Sequence, residues 1–356
     1  MTHTILVINP GSTSTKLAVF EEEEEALFSE LQHDSSELEQ YFGVMEQYAF
    51  RRNLIERFLN DNNVSLPSLS AVVARGGLLH PIASGTYRVN DRMVEDLKRA
   101  KYGEHASNLG AVIAKAIGKR AGIPAFIVDP VVVDELVDIA RLSGHPDLPR
   151  LSMFHALNSR AAARKAAKSM GRKYEEVSLI VAHLGGGISV GLHHYGRVID
   201  VNNALDGDGP YTPERTGALP SGQLARLCFS GKLTQQEIAR MIQGSGGLVA
   251  YLGTNSSQEV IRRIEEGDTT AKTVYRAMAY QIAKEIMSLF PGAFGEIDAV
   301  VLTGGMAHDD RFLVPWIKEM LGKRVRVIVV SGSLEMEALA QGALRVLRGV
   351  EAAKEY

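Results

Sequence analysis

Ile5-Leu-Val-Ile-Asn-Pro-Gly-Ser-Thr-Ser-Thr-Lys-Leu-Ala-Val-Phe20 decides the fold, because an apolar run enters a polar tip and a second apolar run leaves it. Flanks that alternate like strands around a Gly/Ser/Thr turn predict a hairpin. Its tip, Asn9 to Lys16, is suited to phosphate. Gly11 lets the backbone approach an anion, the hydroxyls of Ser12, Thr13, Ser14 and Thr15 can donate to oxygens, and Lys16 adds a positive charge. The nucleotide loop that precedes a helix, Gly-x-x-x-x-Gly-Lys-Ser/Thr, is absent.

The device recurs. Ser178-Leu-Ile-Val-Ala-His-Leu-Gly-Gly-Gly-Ile-Ser-Val-Gly191, followed by Gly196-Arg-Val-Ile-Asp-Val201, is again strand, glycine turn and strand, and it presents His183, Gly185, Gly186 and Gly187. A third segment, Ala299-Val-Val-Leu-Thr-Gly-Gly-Met-Ala307, runs a buried-type strand into Gly304, Gly305 and Met306, a turn that lets a flat ring or a ribose lie against bare backbone. Two phosphate-type hairpins and one nucleoside-type turn in a duplicated chain imply ATP held by two related α/β domains.

A length of 356 residues suits two domains, and the Gly/Pro-rich stretch Gly144 to Pro149 is read as the boundary. Residues 1–150 with the C-terminal helix 337–356 are expected to form one domain and 151–336 a second, nucleotide-binding one. Helical patterning is read over 36–62, 91–102, 108–121, 131–142, 158–167, 221–243, 258–290, 309–321 and 334–348. The acidic run Glu21 to Glu25 reads as a solvated turn, and the single cysteine, Cys228, as a small buried hydrophobe. A net charge of −3 offers no basic face for nucleic acid. No apolar run reaches membrane-spanning length and no signal peptide precedes the first strand, so the expectation is a cytoplasmic protein without membrane partners.

Asn9 to Lys16, Arg75-Gly-Gly77, His105-Ala-Ser-Asn-Leu-Gly110, Phe154-His-Ala-Leu-Asn158, His183 to Gly187, Pro213-Glu-Arg-Thr-Gly217, Leu302 to Gly305 and Gly332-Ser-Leu-Glu-Met-Glu337 occur in an order that resembles the acetate/butyrate kinase family. The likeness spans nearly the whole chain and is nearest to the branch acting on butyrate and branched short-chain acids. It implies duplicated actin-like (ribonuclease H-like) domains with a nucleotide cleft between them, ATP/ADP and Mg as cofactors, a small carboxylic acid as substrate, and a homo-oligomer, at least a dimer. An acetate or propionate kinase and a non-catalytic ATP-binding regulator of the same fold are the alternatives.

The chemistry fits that implication. A short fatty acid has a pKa of roughly 4 to 5 and is an anion at neutral pH, so it needs no general base. An anionic nucleophile must instead approach an anionic phosphate, which calls for cations and a metal. With the resemblance, Arg75 is the candidate for the substrate carboxylate and Arg215 for bridging carboxylate and phosphoryl. His155 is assigned to the equatorial phosphoryl oxygens, His105 to the site's geometry or to phosphate, and Asp129 and Glu335 to magnesium and its waters. Departures from acetate kinases are Gly186 in place of Asn, Ser159 in place of a histidine, a shorter loop before Arg215, and Gly76-Gly77 in place of bulky valines. The two glycines are read as opening a deeper slot for the acyl tail.

Overall fold

The computed structural model describes residues 2–356 and divides into two compact units. The first comprises the chain up to Val133 together with Leu334–Tyr356, and the second comprises Asp134–Ser333.

In the first unit a sheet has the order β3-β2-β1-β4-β6-β5, with β1 at Thr4–Pro10, β2 at Ser14–Glu21, β3 at Glu24–Gln32, β4 at Ala71–Arg75, β5 at Thr86–Arg88 and β6 at Ala125–Val128. β1, β2 and β3 form an antiparallel meander, while β4 runs parallel to β1 and β6 parallel to β4. Central parallel strands covered on both faces need apolar residues at every position. Ile5 to Ile8 and Ala71 to Ala74 meet that demand, all at 0% exposure. Leu6, Ile8, Val72 and Ala74 join a core with residues of the helices Tyr48–Asp61, Asp91–Lys98 and Asn108–Ala121. The helix Glu335–Leu347 also packs on β1, β4 and β6, and Gly342 lets it approach Val128, whose Cγ2 would lie 2.5 Å from an added Cβ. The edge strand β5 is covered by the chain end, where Arg88 N–H donates to the Lys354 carbonyl and Lys354 N–H to that of Thr86.

The second unit repeats this plan. Its sheet has the order β11-β10-β7-β8-β9, with β7 at Ser178–Leu184, β8 at Ile188–His194, β9 at Arg197–Val201, β10 at Ala299–Gly304 and β11 at Val327–Ser331. β7, β8 and β9 form the antiparallel meander, and β10 and β11 continue in parallel from β7. β7, β8, β9, β10 and β11 therefore correspond to β1, β2, β3, β4 and β6. The helices Ala156–Ser169 and Thr269–Ser288 both pack on this sheet.

Several expectations need correction. The stretch Gly144 to Pro149 is an exposed loop inside the second unit and no boundary, because the segment leading to it is tied to β9. Val137 N–H donates to the Ile199 carbonyl, and Arg150 Nη1 lies 2.7 Å from Asp200 Oδ1. β2 ends at Glu21 and β3 starts at Glu24, so the acidic run is a hairpin turn entering a strand, and Arg348 binds Glu22 and Glu23. β3 escaped notice because its residues are mostly exposed. The helical stretch 36–62 is broken, with its long helix at Tyr48–Asp61, and 131–142 is helical only at Asp138–Arg141. The stretch 221–243 holds two helices, Ser221–Cys228 and Gln235–Gln243, and 258–290 divides at Asp268, which caps Thr269–Ser288. Cys228 is half-buried on a helix with no buried residue.

The slot expected at Gly76 and Gly77 is absent. A Cβ on Gly76 would lie 2.6 Å from Pro130 Cβ, and one on Gly77 would lie 2.6 Å from Asn108 Cα and 2.8 Å from Leu97 Cδ2. The missing side chains are replaced by protein: the helix Asn108–Ala121 comes down onto the end of β4. Asn108 secures the contact, its Oδ1 accepting from Leu78 N–H at 2.8 Å and its Nδ2 donating to the Gly103 carbonyl at 2.9 Å.

Two predictions follow from this packing. Gly77→Val should destabilise the chain by about 3 kcal/mol or more, since backbone has to move, and lower the melting temperature by about 6 °C or more. A normal melt with a selective loss of activity on longer acids would instead restore the slot. The second concerns acid. His193 is fully buried, with Tyr174 Oη 2.8 Å from its Nδ1, and burial, then the Arg160 and Arg164 charges, hold its pKa at about 3. The unfolded chain binds this proton near the ordinary value, so stability is intact above about pH 6.5 and falls as pH drops toward 3, by ~1.4 kcal/mol per unit at most. Burial also lowers His33 and His105, which adds to the slope. Denaturant titrations at pH 7 and 5 should show a smaller loss for His193→Gln than for the natural chain; equal losses would refute the assignment.

Candidate functional site

Parallel pairing aligns strand ends. Ile8 pairs with Ala74 and Arg75 with Val128, so the next positions, Asn9, Arg75 and Asp129, stand at the carboxyl ends of three neighbouring strands of the first unit. Open α/β sheets bind ligands outside that edge. Asn9 is buried and its Nδ2 donates to Glu335 Oε2 at 2.9 Å, while Glu335 Oε1 lies 3.5 Å from Arg75 Nη1. Glu335 thus links Asn9 to the half-exposed Arg75. Asp129 is buried with a φ of +37°, a left-handed conformation that Asp tolerates better than most residues. Two bonds lock it: Gly85 N–H donates to its Oδ1 at 2.7 Å, and its own N–H donates to the Gly85 carbonyl at 3.1 Å.

His105 precedes the helix Asn108–Ala121. Its Nδ1 accepts from Ser107 N–H at 3.1 Å and lies 2.8 Å from Ser107 Oγ, which places the ring proton on Nε2. Burial, then the charges of Arg75 and Arg51, lower its pKa, so the ring is a neutral N–H donor at physiological pH. At the hairpin tip, Gly11 N–H donates to the Ser14 carbonyl at 2.8 Å and Ser12 and Thr13 are exposed. Ser14 Oγ and Lys16 Nζ both face Glu30, at 3.4 and 3.7 Å. Lys16 thus pairs across the strands with Glu30 while its side chain stays about one-third exposed (34%).

In the second unit Thr303 pairs with His183 and Gly304 with Ser331, which brings Gly185, Gly305 and Gly332 to the corresponding edge. The rings of His155 and His183 stack at 3.9 Å between centroids and 11° between planes. Ser189 Oγ lies 3.0 Å from His155 Nδ1, and Asn158 Nδ2 reaches His183 Nδ1 at 2.9 Å and Thr303 Oγ1 at 3.1 Å. Both histidines are held through Nδ1. The Arg215 guanidinium lies against Gly187: a Cβ there would sit 3.0 Å from Arg215 Cζ and 3.2 Å from His155 Cε1. Any side chain at 187 would push both away.

Arg215 Nη1 donates to the Ala204 carbonyl at 2.7 Å, and its buried Nε has no hydrogen-bond partner among the described residues. Burial lowers its pKa, outweighing Glu214. Thr212 ties this loop to the hairpin, since its hydroxyl donates to the Gly186 carbonyl at 2.6 Å and accepts from Arg215 N–H at 3.0 Å. At the third turn Gly304 has a φ of +91° and no room for a side chain beside Leu184, whereas Gly305 is exposed with no atom within 4 Å of an added Cβ. Met306 packs into the core, which leaves only its backbone to meet a ligand.

Asp129 and Glu335 offer only carboxylate oxygens, a donor set that suits magnesium, which keeps several waters. Among the described residues there is no group of three or more His, Cys, Asp or Glu side chains able to hold a metal. Sequence reasoning missed Arg51, Asn158, Ser189, Thr212 and Thr303 as supporting groups. Asn158 lay inside a quoted motif; Arg51 had no local signal, because its burial comes from packing.

Residues 150–323 match the acetokinase family. The chain is 53% identical over 352 residues to butyrate kinase 2 of Clostridium acetobutylicum, with 99% of each chain covered. It is 50% identical over 356 residues to a probable butyrate kinase of Clostridium botulinum, with 100% of each covered. Acetate kinase of Porphyromonas gingivalis has the same fold, with a TM-score of 0.74 at 20% identity over 97% of this chain and 100% of that one. A propionate kinase from Francisella tularensis gives 0.72 at 19% identity over 96% and 98%. With this identity over its whole length, the chain belongs to the acetokinase family.

Proposed function

We propose that this chain is a butyrate kinase, which transfers the γ-phosphoryl group of ATP reversibly to butyrate or a branched short-chain acid. The observation that carries the proposal is identity of 50% or more to butyrate kinases from end to end. In the forward direction a carboxylate oxygen forms a bond to the γ-phosphorus and the bond to the bridging oxygen breaks. The products are an acyl phosphate and ADP. No proton moves, because the acid is already ionised.

Arg75 takes the carboxylate through its guanidinium, held by Glu335. His105 donates from Nε2 to anionic oxygen at the same edge. In the second unit Arg215 and His155 donate to the phosphoryl oxygens, where charge resides in the transition state. His183 and the backbone of Gly185, Gly186 and Gly187 receive phosphate, and Gly304 and Gly305 with the Met306 backbone receive the nucleoside. In the first hairpin, Gly11, Ser12 and Ser14 supply donors for phosphate, and Asn9 and Lys16 orient their carboxylate partners. Asp129 and Glu335 would hold magnesium through its waters, and the metal would neutralise phosphate charge. The chain is expected to act as a homo-oligomer.

Trapping of acyl phosphate with hydroxylamine, across acids of two to six carbons with ATP and Mg, tests the reading. Butyrate or isobutyrate should exceed acetate in kcat/KM. A preference for acetate or propionate would move the chain to that branch, and ATP hydrolysis without acyl phosphate would mark a non-catalytic regulator. Arg75→Ala should raise the KM for the acid by about 100-fold and leave that for ATP within about two-fold. His155→Ala and Arg215→Ala should lower kcat by about 100-fold or more. An unchanged acid KM, or normal turnover, would remove the residue concerned from its role.

Gly305→Val checks the nucleoside turn. Open space around Gly305 means that the fold should tolerate the side chain while ATP affinity falls by about ten-fold or more. Calorimetry on the folded variant decides, and natural affinity would make the turn structural only.

A further inference from the structure

Arg51 is fully buried, on the helix Tyr48–Asp61, and no carboxylate pairs with it among the described residues. Its guanidinium is spread over the hairpin tip: Nη1 donates to Thr15 Oγ1 at 2.9 Å and to the Ser14 carbonyl at 3.2 Å, and Nη2 to the Ser12 carbonyl at 3.4 Å. Gln47 Oε1 accepts from Nε at 3.0 Å. Thr15 Oγ1 also lies 2.8 Å from His33 Nε2. Burial, then the Arg51 charge, lower the His33 pKa, so this ring adds no second charge at neutral pH. Burial brings the Arg51 pKa down to about 10, still far above neutrality.

A buried cation without an anion is costly and is seldom kept unless something else compensates it. Lys16 does not share this state, since its side chain reaches solvent and Glu30 lies 3.7 Å from it. Geometry adds a second effect. In a planar trans peptide the C=O and N–H point in opposite directions. With the Ser12 carbonyl drawn inward to Arg51, the N–H of Thr13 is turned outward, on a residue exposed at the tip. No acceptor for the Thr13 N–H is found among the described residues.

We infer that Arg51 is a positioning residue for phosphate: it fixes the tip of the first hairpin with the Thr13 N–H directed outward and places an uncompensated positive charge behind it. The anion bound at the tip supplies the missing counter-charge. This rests on the reading that the hairpin takes a phosphate of ATP.

The experiment uses the full-length chain carrying Arg51→Met or Arg51→Lys, with folding checked by circular dichroism and thermal melting. Arg51→Met should lower kcat by about 100-fold and weaken ATP binding in calorimetry by about ten-fold, with the KM for the acid within about two-fold. Arg51→Lys, which keeps the charge and loses the fork, should fall between. If Arg51→Met does not fold, Arg51→Lys decides: kcat and ATP affinity both within two-fold of the natural chain would overturn the inference. The natural chain provides a third reading through the Thr13 amide resonance, which should shift on addition of ATP. No shift would overturn the inference. Absence of acyl phosphate from every acid, with the ATP-induced shift intact, would instead sink the kinase reading and leave Arg51 in place.

Discussion

Parallel pairing of strands buried on both faces is the constraint on which the rest of this molecule depends. A strand such as β1 or β4 can lie in the middle of its sheet only if helices cover both sides, and the pairing then fixes which residues emerge together at the carboxyl edge. Asn9, Arg75 and Asp129 owe their proximity to that register, as do Gly185, Gly305 and Gly332 in the second sheet. Four glycines of the first unit serve this architecture. Gly76, Gly77, Gly110 and Gly342 sit where an added Cβ would strike a neighbouring element, so they set how closely helices approach strand ends.

Electrostatics is organised twice in the same manner. Each sheet presents a hairpin tip to solvent, and each tip has a guanidinium packed against it, Arg51 in the first unit and Arg215 in the second. In both cases the arginine is held by backbone carbonyls: those of Ser12 and Ser14, and that of Ala204. Carbonyl oxygens orient a guanidinium without cancelling its charge, as a carboxylate would. On the site assignment proposed above this matters, because a reaction between two anions needs positive potential that persists until substrate arrives.

Most of the fold was legible because its signals were local. Apolar runs around Gly/Ser/Thr tips marked both hairpins, and the Leu302 to Gly305 run marked β10. Three kinds of feature were not legible. β3 has one face in water, so its pattern was weak, and acidic residues at its start suggested a turn. Segments such as 131–137 have helical composition, yet hydrogen bonds to β9 and to Ile82 hold them in a turn and an irregular strap. The largest error concerned Gly76 and Gly77. A missing side chain shows in a sequence, but whether ligand or protein fills the space depends on a tertiary contact, here with Asn108 and Pro130. Arg51 was illegible for the same reason, since a helix bearing Arg51 and Arg52 side by side gives no sign of which one turns inward.

The two sheets share a topology and differ in what stands at their ends. Packing dictates strand interiors, so both units kept Val, Ile, Leu and Ala there. The residues at and just past the carboxyl ends of the strands are free of that demand. In the first unit they carry charge and hydrogen-bonding side chains, Asn9, Arg75 and Asp129, with Glu335 opening the adjacent helix. In the second they are glycines, and side-chain chemistry comes from His155, His183 and Arg215 around them. A carboxylate or a hydrated metal is recognised by charged side chains in fixed positions, whereas phosphates and a nucleoside can be received by bare backbone. Two sheets of one topology therefore present edges of different chemistry, hydrogen-bonding and charged side chains in the first unit and glycine backbone in the second.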